Sequence, residues 1–438
     1  MNKRAEKIIR EKLINPYYKK EPEYIGVEIE TFIVAFDDRV GTKAAICEVF
    51  EKLVEDYQFH VAVRGTDGCL VRVDNGVDAI SCDYSYQLLE FSMGKAHTIC
   101  EISDRFKKYY NIIMPLLKER GHFFTGLATN HFPIDYSENK NFTMDPFYTK
   151  VREYVKTYTN HKDPTYFYTM MASVQTHVDV NAEKLLDLYN LFNKLDFVRA
   201  ILFSNSIPNE TRQQNYFQYP ENLLCARDII WDKQGLPNTG LIDQEFHTMD
   251  DLVEYISNLK VFIEAKNGEL KIFEPITLNE YFEDISKENI GLSCFRSFEH
   301  VVLNNNHVLE VRSDCTQPIA DAFAPVAFNI GIAQKMQEAE KLVNDFMHEK
   351  KIQKTNSELR YMAITNQTIT EKEEMRKFLK GLYEIARQGL VERGYKEEVF
   401  IDCLVERIET GLNPALKMKK MRSEGYTMLE IAELYSKI

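Results

Sequence analysis

The chain has 438 residues, 44% hydrophobic and 28% charged, with a formal net charge of −13. That balance excludes a disordered chain, and the acidic excess speaks against general binding to nucleic acid or an anionic membrane, since both need a basic surface. Eight scattered cysteines with no Cys-x-x-Cys pair exclude a disulfide framework and a zinc ribbon; without a membrane-length apolar run or an apolar core in Met1 to Leu13, a reducing, cytoplasmic setting is expected.

Met1 to Leu13 predicts an amphipathic helix that Pro16 and Pro22 end. Tyr24 to Val34 then reads as a strand. Its period-two alternation puts Glu28 and Glu30 on one face and Ile25, Val27 and Ile29 on the other. Thr42 to Tyr57 carries Ala45, Ile46, Val49, Phe50, Leu53 and Val54 at helical spacing. Val61 to Val73 predicts a hairpin turning at Asp67-Gly68. Tyr86 to Met93 is a second polar-faced strand, pairing Glu90 with Ser92 on one side. Ile99 to Arg120 predicts a helix closed by Gly121, with strand-like Phe123 to Thr129 after it.

Asp135 to Thr165 is polar and aromatic, with Pro146 and Pro164, and reads as a long excursion holding one helix; such segments commonly cover an active site. Met170 to Val180 alternates again and gathers Gln175, His177 and Asp179 on one face, and Ala182 to Phe203 predicts one long helix. Pro208 to Gly240 is irregular and holds Arg212, Arg227 and Trp231. Val308 to Arg312 puts Glu310 and Arg312 on one face. From Ile332 helical patterns take over, including Glu371 to Arg393 and Glu397 to Gly411, so a boundary near Ile330 is expected between residues 1–330 and a helical region, 331–438. Gly425 to Tyr435 has the outline of half a helix-turn-helix, but without a basic footprint it is expected to be a packing helix.

Four polar-faced strands suggest one carboxylate-lined cavity. Glu28, Glu30, Asp83, Glu90 and Glu310 gathered in a half-buried space would repel one another unless cations neutralise them. Magnesium suits such oxygens and bridges nucleotide phosphates, His177 offers a nitrogen that manganese tolerates well, and two or three ions are expected. Arg312 adds a fixed charge with a bidentate donor fork suited to a phosphate or acyl phosphate, while Arg227 and Arg296 are candidates for a substrate carboxylate. Singly, each residue has an ordinary reading: a half-exposed strand face, a sheet histidine, a turn aspartate, a same-face ion pair. Their coincidence on four strands favours a metal-nucleotide enzyme over a polar-faced scaffold.

At these residues the chain resembles the glutamate-cysteine ligase family of ATP-dependent carboxylate-amine ligases. Gly26 to Glu30 resembles the family's opening metal strand, Tyr86 to Ser92 its second acidic strand, Ala172 to Asp179 its central strand and Val308 to Asp314 its last. The segment before Glu90 lacks the family's Pro-Gly-Gly-Gln run, and Ser92-Met93-Gly94 only partly echoes the family's residues at the end of that strand. The resemblance implies an α+β fold: a curved antiparallel sheet forming a funnel-like active site, helices outside and a helical C-terminal region. It implies Glu28, Asp83 and Glu310 around one group of ions, and Glu30, Glu90 and His177 around the ion that reaches the nucleotide. Arg312 would stabilise the transferring phosphoryl group, Gln175 would line the substrate pocket and Arg227 would hold the glutamate carboxylate. The implied substrates are ATP, glutamate and cysteine, with a gamma-glutamyl phosphate between them; a paralogue joining glutamate or another carboxylate to a different amine, in specialised metabolism or peptide tailoring, is the alternative.

Overall fold

The computed structural model describes residues 2–36, 41–132, 141–159, 169–208, 219–227, 229, 235–266, 269–284, 286–287 and 297–438; Arg212, Trp231 and Arg296 lie outside them. The strands, in chain order, are β1 Ile25–Ala35, β2 His60–Arg64, β3 Leu70–Asp74, β4 Ala79–Cys82, β5 Leu88–Ala96, β6 His122–Thr125, β7 Ser173–Val178, β8 Thr239–Gly240, β9 Lys260–Lys266, β10 Glu269–Thr277, β11 Phe298–Glu299, β12 Val301–Leu303 and β13 Leu309–Cys315. Nine form one open sheet in the order β12-β13-β7-β1-β5-β4-β3-β2, with β6 also on β1. Every pairing in it is antiparallel. Alternation explains why it stands: Val27, Ile29, Leu89, Phe91, Val174 and Val311 turn one way and are wholly buried, each contributing about 1.5–3 kcal/mol, while the acidic side chains turn the other way.

Helices cover the apolar face. Ile99–Lys118, capped by the Thr98 side chain, packs on β5, where the rings of Phe91 and Phe106 meet edge-on at 5.1 Å. It ends at Gly121, whose φ of +76° a side chain would strain. Helix Ala324–Gln334 lies across β7 and crosses Lys372–Arg393 closely. Glycine permits that crossing: a Cβ on Gly331 would stand 2.2 Å from the Ala386 carbonyl oxygen, and one on Gly389 2.2 Å from that of Gly331. Over the polar face, helix Pro146–Tyr158 and the β9–β10 hairpin form a small layer with Val151, Tyr154, Val155, Phe262 and Ile263 as its own core.

The expected hairpin turns at Gly68, with φ +86°, and the closing helix Met428–Tyr435 packs by Ile431, Ala432 and Tyr435, with Thr125 Oγ1 donating to the Ala432 carbonyl at 2.7 Å. The long helix expected from Ala182 to Phe203 is instead two, Ala182–Lys194 and Asp196–Phe203. The break exists because Asp196 is drawn into the core by Arg199, His300 and Arg360, a demand helical periodicity does not register. Strand β4 is an addition to the expected set; its four residues are too short to show alternation. Among the described residues no helix is long and apolar enough to cross a membrane.

Candidate active site

Register assembles the site in rows. Glu310 lies opposite His177, which lies opposite Gly26. Gln175, Glu28, Ser92 and Ala79 form the next row, and Glu30, Glu90, Ser81 and Arg72 a third. Directly opposed residues in antiparallel strands share a face, so the alternation within each strand becomes a two-dimensional polar floor. Gly26 leaves room for the ring: a Cβ there would come within 3.1 Å of His177 Nδ1, so the imidazole would have to shift. Glu28, Glu30, Asp83, Glu90, Gln175, His177, Arg227, Glu310 and Arg312 all line one cavity of about 1260 Å³. Asp179 falls just beyond β7 and is ion-paired with Lys20 at the rim.

Within that cavity the potential ligand atoms fall into two triplets, Glu28 with His177 and Glu310, and Glu30 with Asp83 and Glu90, each triplet lying within 4.8 Å of one another. This differs from the grouping that the resemblance implies: His177 and Asp83 have exchanged places. The reason is register. His177 is locked opposite Glu310, whereas Asp83 leaves β4 two residues beyond Ser81, beside the Glu30–Glu90 row, and is fixed there by its N–H donating to the Leu88 carbonyl at 2.9 Å.

Each triplet has its own electrostatics. Burial pushes Glu28 well above the usual carboxylate range, reinforced by Glu90 and Glu310 and opposed by Arg312. Burial, Glu90 and Glu30 do the same to Asp83. Glu30 is raised by burial, although Arg227 and hydrogen bonds from Ser173 N at 2.6 Å and Ser173 Oγ at 3.0 Å pull it back. Glu310 goes the other way: burial would raise it, but Arg312, His177 and Asn304, whose Nδ2 donates at 3.0 Å, together hold it low. Burial lowers His177, favouring the neutral ring. Its Nε2 is buried without a hydrogen-bond partner among the described residues, 3.8 Å from Glu28 Oε1 and 3.9 Å from Glu310 Oε2. A neutral imidazole nitrogen aimed between two carboxylate oxygens, beside a second all-carboxylate triplet, fits magnesium or manganese.

The two arginines meet at β13. Arg312 donates to Glu310 within the strand, and Arg227 donates to the Arg312 carbonyl. Gln175 Nε2 donates to Glu30 Oε1 at 3.1 Å, leaving its buried Oε1 unpartnered among the described residues. After Val311 the strand bulges: Glu310 and Val311 pair with His177 and Thr176, yet Asp314 pairs with Val174. The extra residue puts Ser313 and Asp314 both on the helix side. Sequence reading missed Ser173, Asn304 and Tyr148, which bonds to Asp83 from helix Pro146–Tyr158. Alternation in β7 could have revealed Ser173; nothing local marks Tyr148.

No family model and no curated protein matches the chain. Solved structures do. One is a bifunctional glutathione synthetase from Pasteurella multocida, with a TM-score of 0.54 and 13% identity over 98% of this chain and 54% of that one. Another is a glutamate-cysteine ligase from Francisella tularensis in complex with AMP, with a TM-score of 0.54 and 11% identity over 95% of this chain and 89% of that one. This chain shares the fold of these two ligases, and spans about half the length of the first.

Proposed function

We propose that the chain is an ATP- and magnesium-dependent carboxylate-amine ligase, and that its first substrates to test are glutamate and cysteine, joined as gamma-glutamylcysteine. The single observation that carries this reading is the pair of ligand triplets, Glu28-His177-Glu310 and Glu30-Asp83-Glu90, on one face of an open antiparallel sheet beside Arg312. The fold shared with two ligases supports it.

The chemistry is phosphoryl transfer followed by acyl transfer. A side-chain carboxylate oxygen of glutamate attacks the γ-phosphorus of ATP, the bond to ADP breaks, and an acyl phosphate forms; the amine nitrogen then attacks the acyl carbon, phosphate leaves and the nitrogen loses a proton. Such transfers rest on positioning and charge neutralisation rather than on a protein nucleophile. Magnesium held by the two triplets would supply positive charge to neutralise the nucleotide phosphates. Arg312 offers a guanidinium to the transferring group, its charge oriented by Glu310. Arg227 and Gln175, at the β7–β13 side of the cavity, would receive the acid substrate. Neutral His177 offers a lone pair without adding positive charge.

The test is phosphate release from ATP by the purified protein with magnesium and L-glutamate, with and without L-cysteine, the product identified by mass spectrometry. Cysteine-dependent release with gamma-glutamylcysteine is expected. Turnover with another amine in place of cysteine moves the acceptor and keeps the class; no turnover with any acid or amine overturns the reading.

A further inference from the structure

Behind β13, on the side turned from the cavity, lies a buried charge network that this chemistry does not use. Asp196, Arg199, His300 and Arg360 are 0%, 1%, 7% and 4% exposed. The Asp196 carboxylate accepts from Ser313 Oγ at 2.5 Å and from Arg199, and lies 2.8 Å from His300 Nδ1 and 3.2 Å from Arg360 Nη1. Arg199 Nη2 also reaches Ser313 Oγ at 3.3 Å, and Arg360 Nη2 donates to the Ser313 carbonyl at 3.3 Å. Arg199 Nε faces Asp314 at 3.5 Å, and Asn329 holds the other Asp314 oxygen at 2.9 Å. The His300 carbonyl accepts the Arg312 N–H at 2.8 Å.

Burying the Asp196, Arg199 and Arg360 charges costs several kcal/mol per ion before pairing offsets it, and apolar residues of similar volume would fill the space without that cost. The network therefore needs a reason beyond stability. What it grips in β13 is one place: Arg312 N–H, the Ser313 hydroxyl and carbonyl, and the Asp314 carboxylate, which together are the bulge. Without the bulge, alternation would turn Asp314 toward the cavity beside Arg312.

We propose that this network, centred on Asp196, is a positioning device for Arg312: by clamping the Arg312 N–H and the bulge after it from behind, it fixes the backbone that carries the Arg312 side chain and keeps Asp314 among the helices instead of in the cavity. Asp196 acts through Ser313 and His300 and touches no substrate, so it is a positioning residue. The inference rests on the reading of Arg312 as a phosphate-facing group.

Asp196→Asn would strip a buried charge from two arginines and risks unfolding, so Ser313→Ala carries the test; it removes one hydroxyl and leaves the ion pairs of Asp196 in place. The measurement is calorimetric binding of AMPPNP with magnesium to wild type, Ser313→Ala, Ser313→Thr, Arg312→Ala and the Arg312→Ala/Ser313→Ala double variant, with an unfolding midpoint for each. Ser313→Ala should bind about 10-fold more weakly, Ser313→Thr should restore most of the loss, and the double variant should bind no more weakly than Arg312→Ala. Wild-type affinity in Ser313→Ala with only a lowered midpoint, or losses that add in the double variant, would overturn the positioning role. Absence of AMPPNP binding by wild type would overturn the functional reading, and the inference with it.

Discussion

Replacing Asp83 by Asn interrogates the charge logic of the site. Asp83, Glu30 and Glu90 each bring one carboxylate oxygen within 4.8 Å of the others. At an effective dielectric constant of about 20, two unit charges at that separation repel by about 3.5 kcal/mol, so three ionised carboxylates are untenable without a cation. The metal-free protein escapes by favouring a proton: burial first, and the charges of Glu90 and Glu30 after it, raise Asp83 well above its ordinary range. Protonation also caps the effect of the substitution. The folded state favours the protonated acid where the unfolded chain has already lost its proton, and Asn keeps the shape while removing the cost of that mismatch. Metal-free Asp83→Asn should therefore be more stable than wild type at neutral pH, by no more than the roughly 3.5 kcal/mol of one pair repulsion. The sign with pH comes from a folded-state pKa that is raised: the contribution is fully present below the unfolded pKa and is lost as pH rises through the folded one. Wild type in chelator should thus lose stability as pH rises above the ordinary aspartate range toward neutrality, and the variant should lose less. Magnesium should reverse the order, because a ligand of the native state stabilises it, and the variant lacks one of the three oxygens. Urea unfolding across that pH range, with chelator and with magnesium, measures all of this. A variant less stable than wild type in chelator at neutral and alkaline pH, or equal stabilisation of both by magnesium, would refute the reasoning.

Glu30→Gln and Glu310→Gln should each cut magnesium-dependent phosphate release by at least about 100-fold with unchanged circular dichroism; near-normal turnover in both would remove the metal assignment. Gly26→Ala pushes a methyl to within 3.1 Å of His177 Nδ1, so calorimetry should find manganese bound about 10-fold more weakly, and unchanged affinity would mean that the ring orientation does not matter. Gly389→Ala forces a Cβ to 2.2 Å from the Gly331 carbonyl and should destabilise by at least about 1–3 kcal/mol while leaving turnover per folded molecule unchanged; a chemical denaturation curve matching wild type would contradict the close helix crossing.

Alternation is a local property, and it was legible. Which side chains share a face in Tyr24 to Val34, Tyr86 to Met93 and Met170 to Val180 depends only on the pleat of each strand, so the floor of Glu28, Glu30, Glu90, Ser92, Gln175 and His177 could be read before any strand was paired, and only Asp179, beyond the end of β7, falls at the rim. That Gly425 to Tyr435 would hold a packing helix followed from the acidic composition of the chain, and Ile431, Ala432 and Tyr435 are the residues by which it packs. Tertiary structure decided what depends on partners distant in sequence. Strand order and register put His177 against Glu310 and Asp83 against Glu30 and Glu90, so membership of the two triplets was invisible to any single segment. Tyr148 reaches Asp83 only because its helix folds back over the sheet. The break at Leu195 and the bulge after Val311 arise because Asp196 and Ser313 meet across more than a hundred residues. A strand records which way its side chains point; which charges they then meet is fixed by register and packing, and those are properties of the assembled sheet.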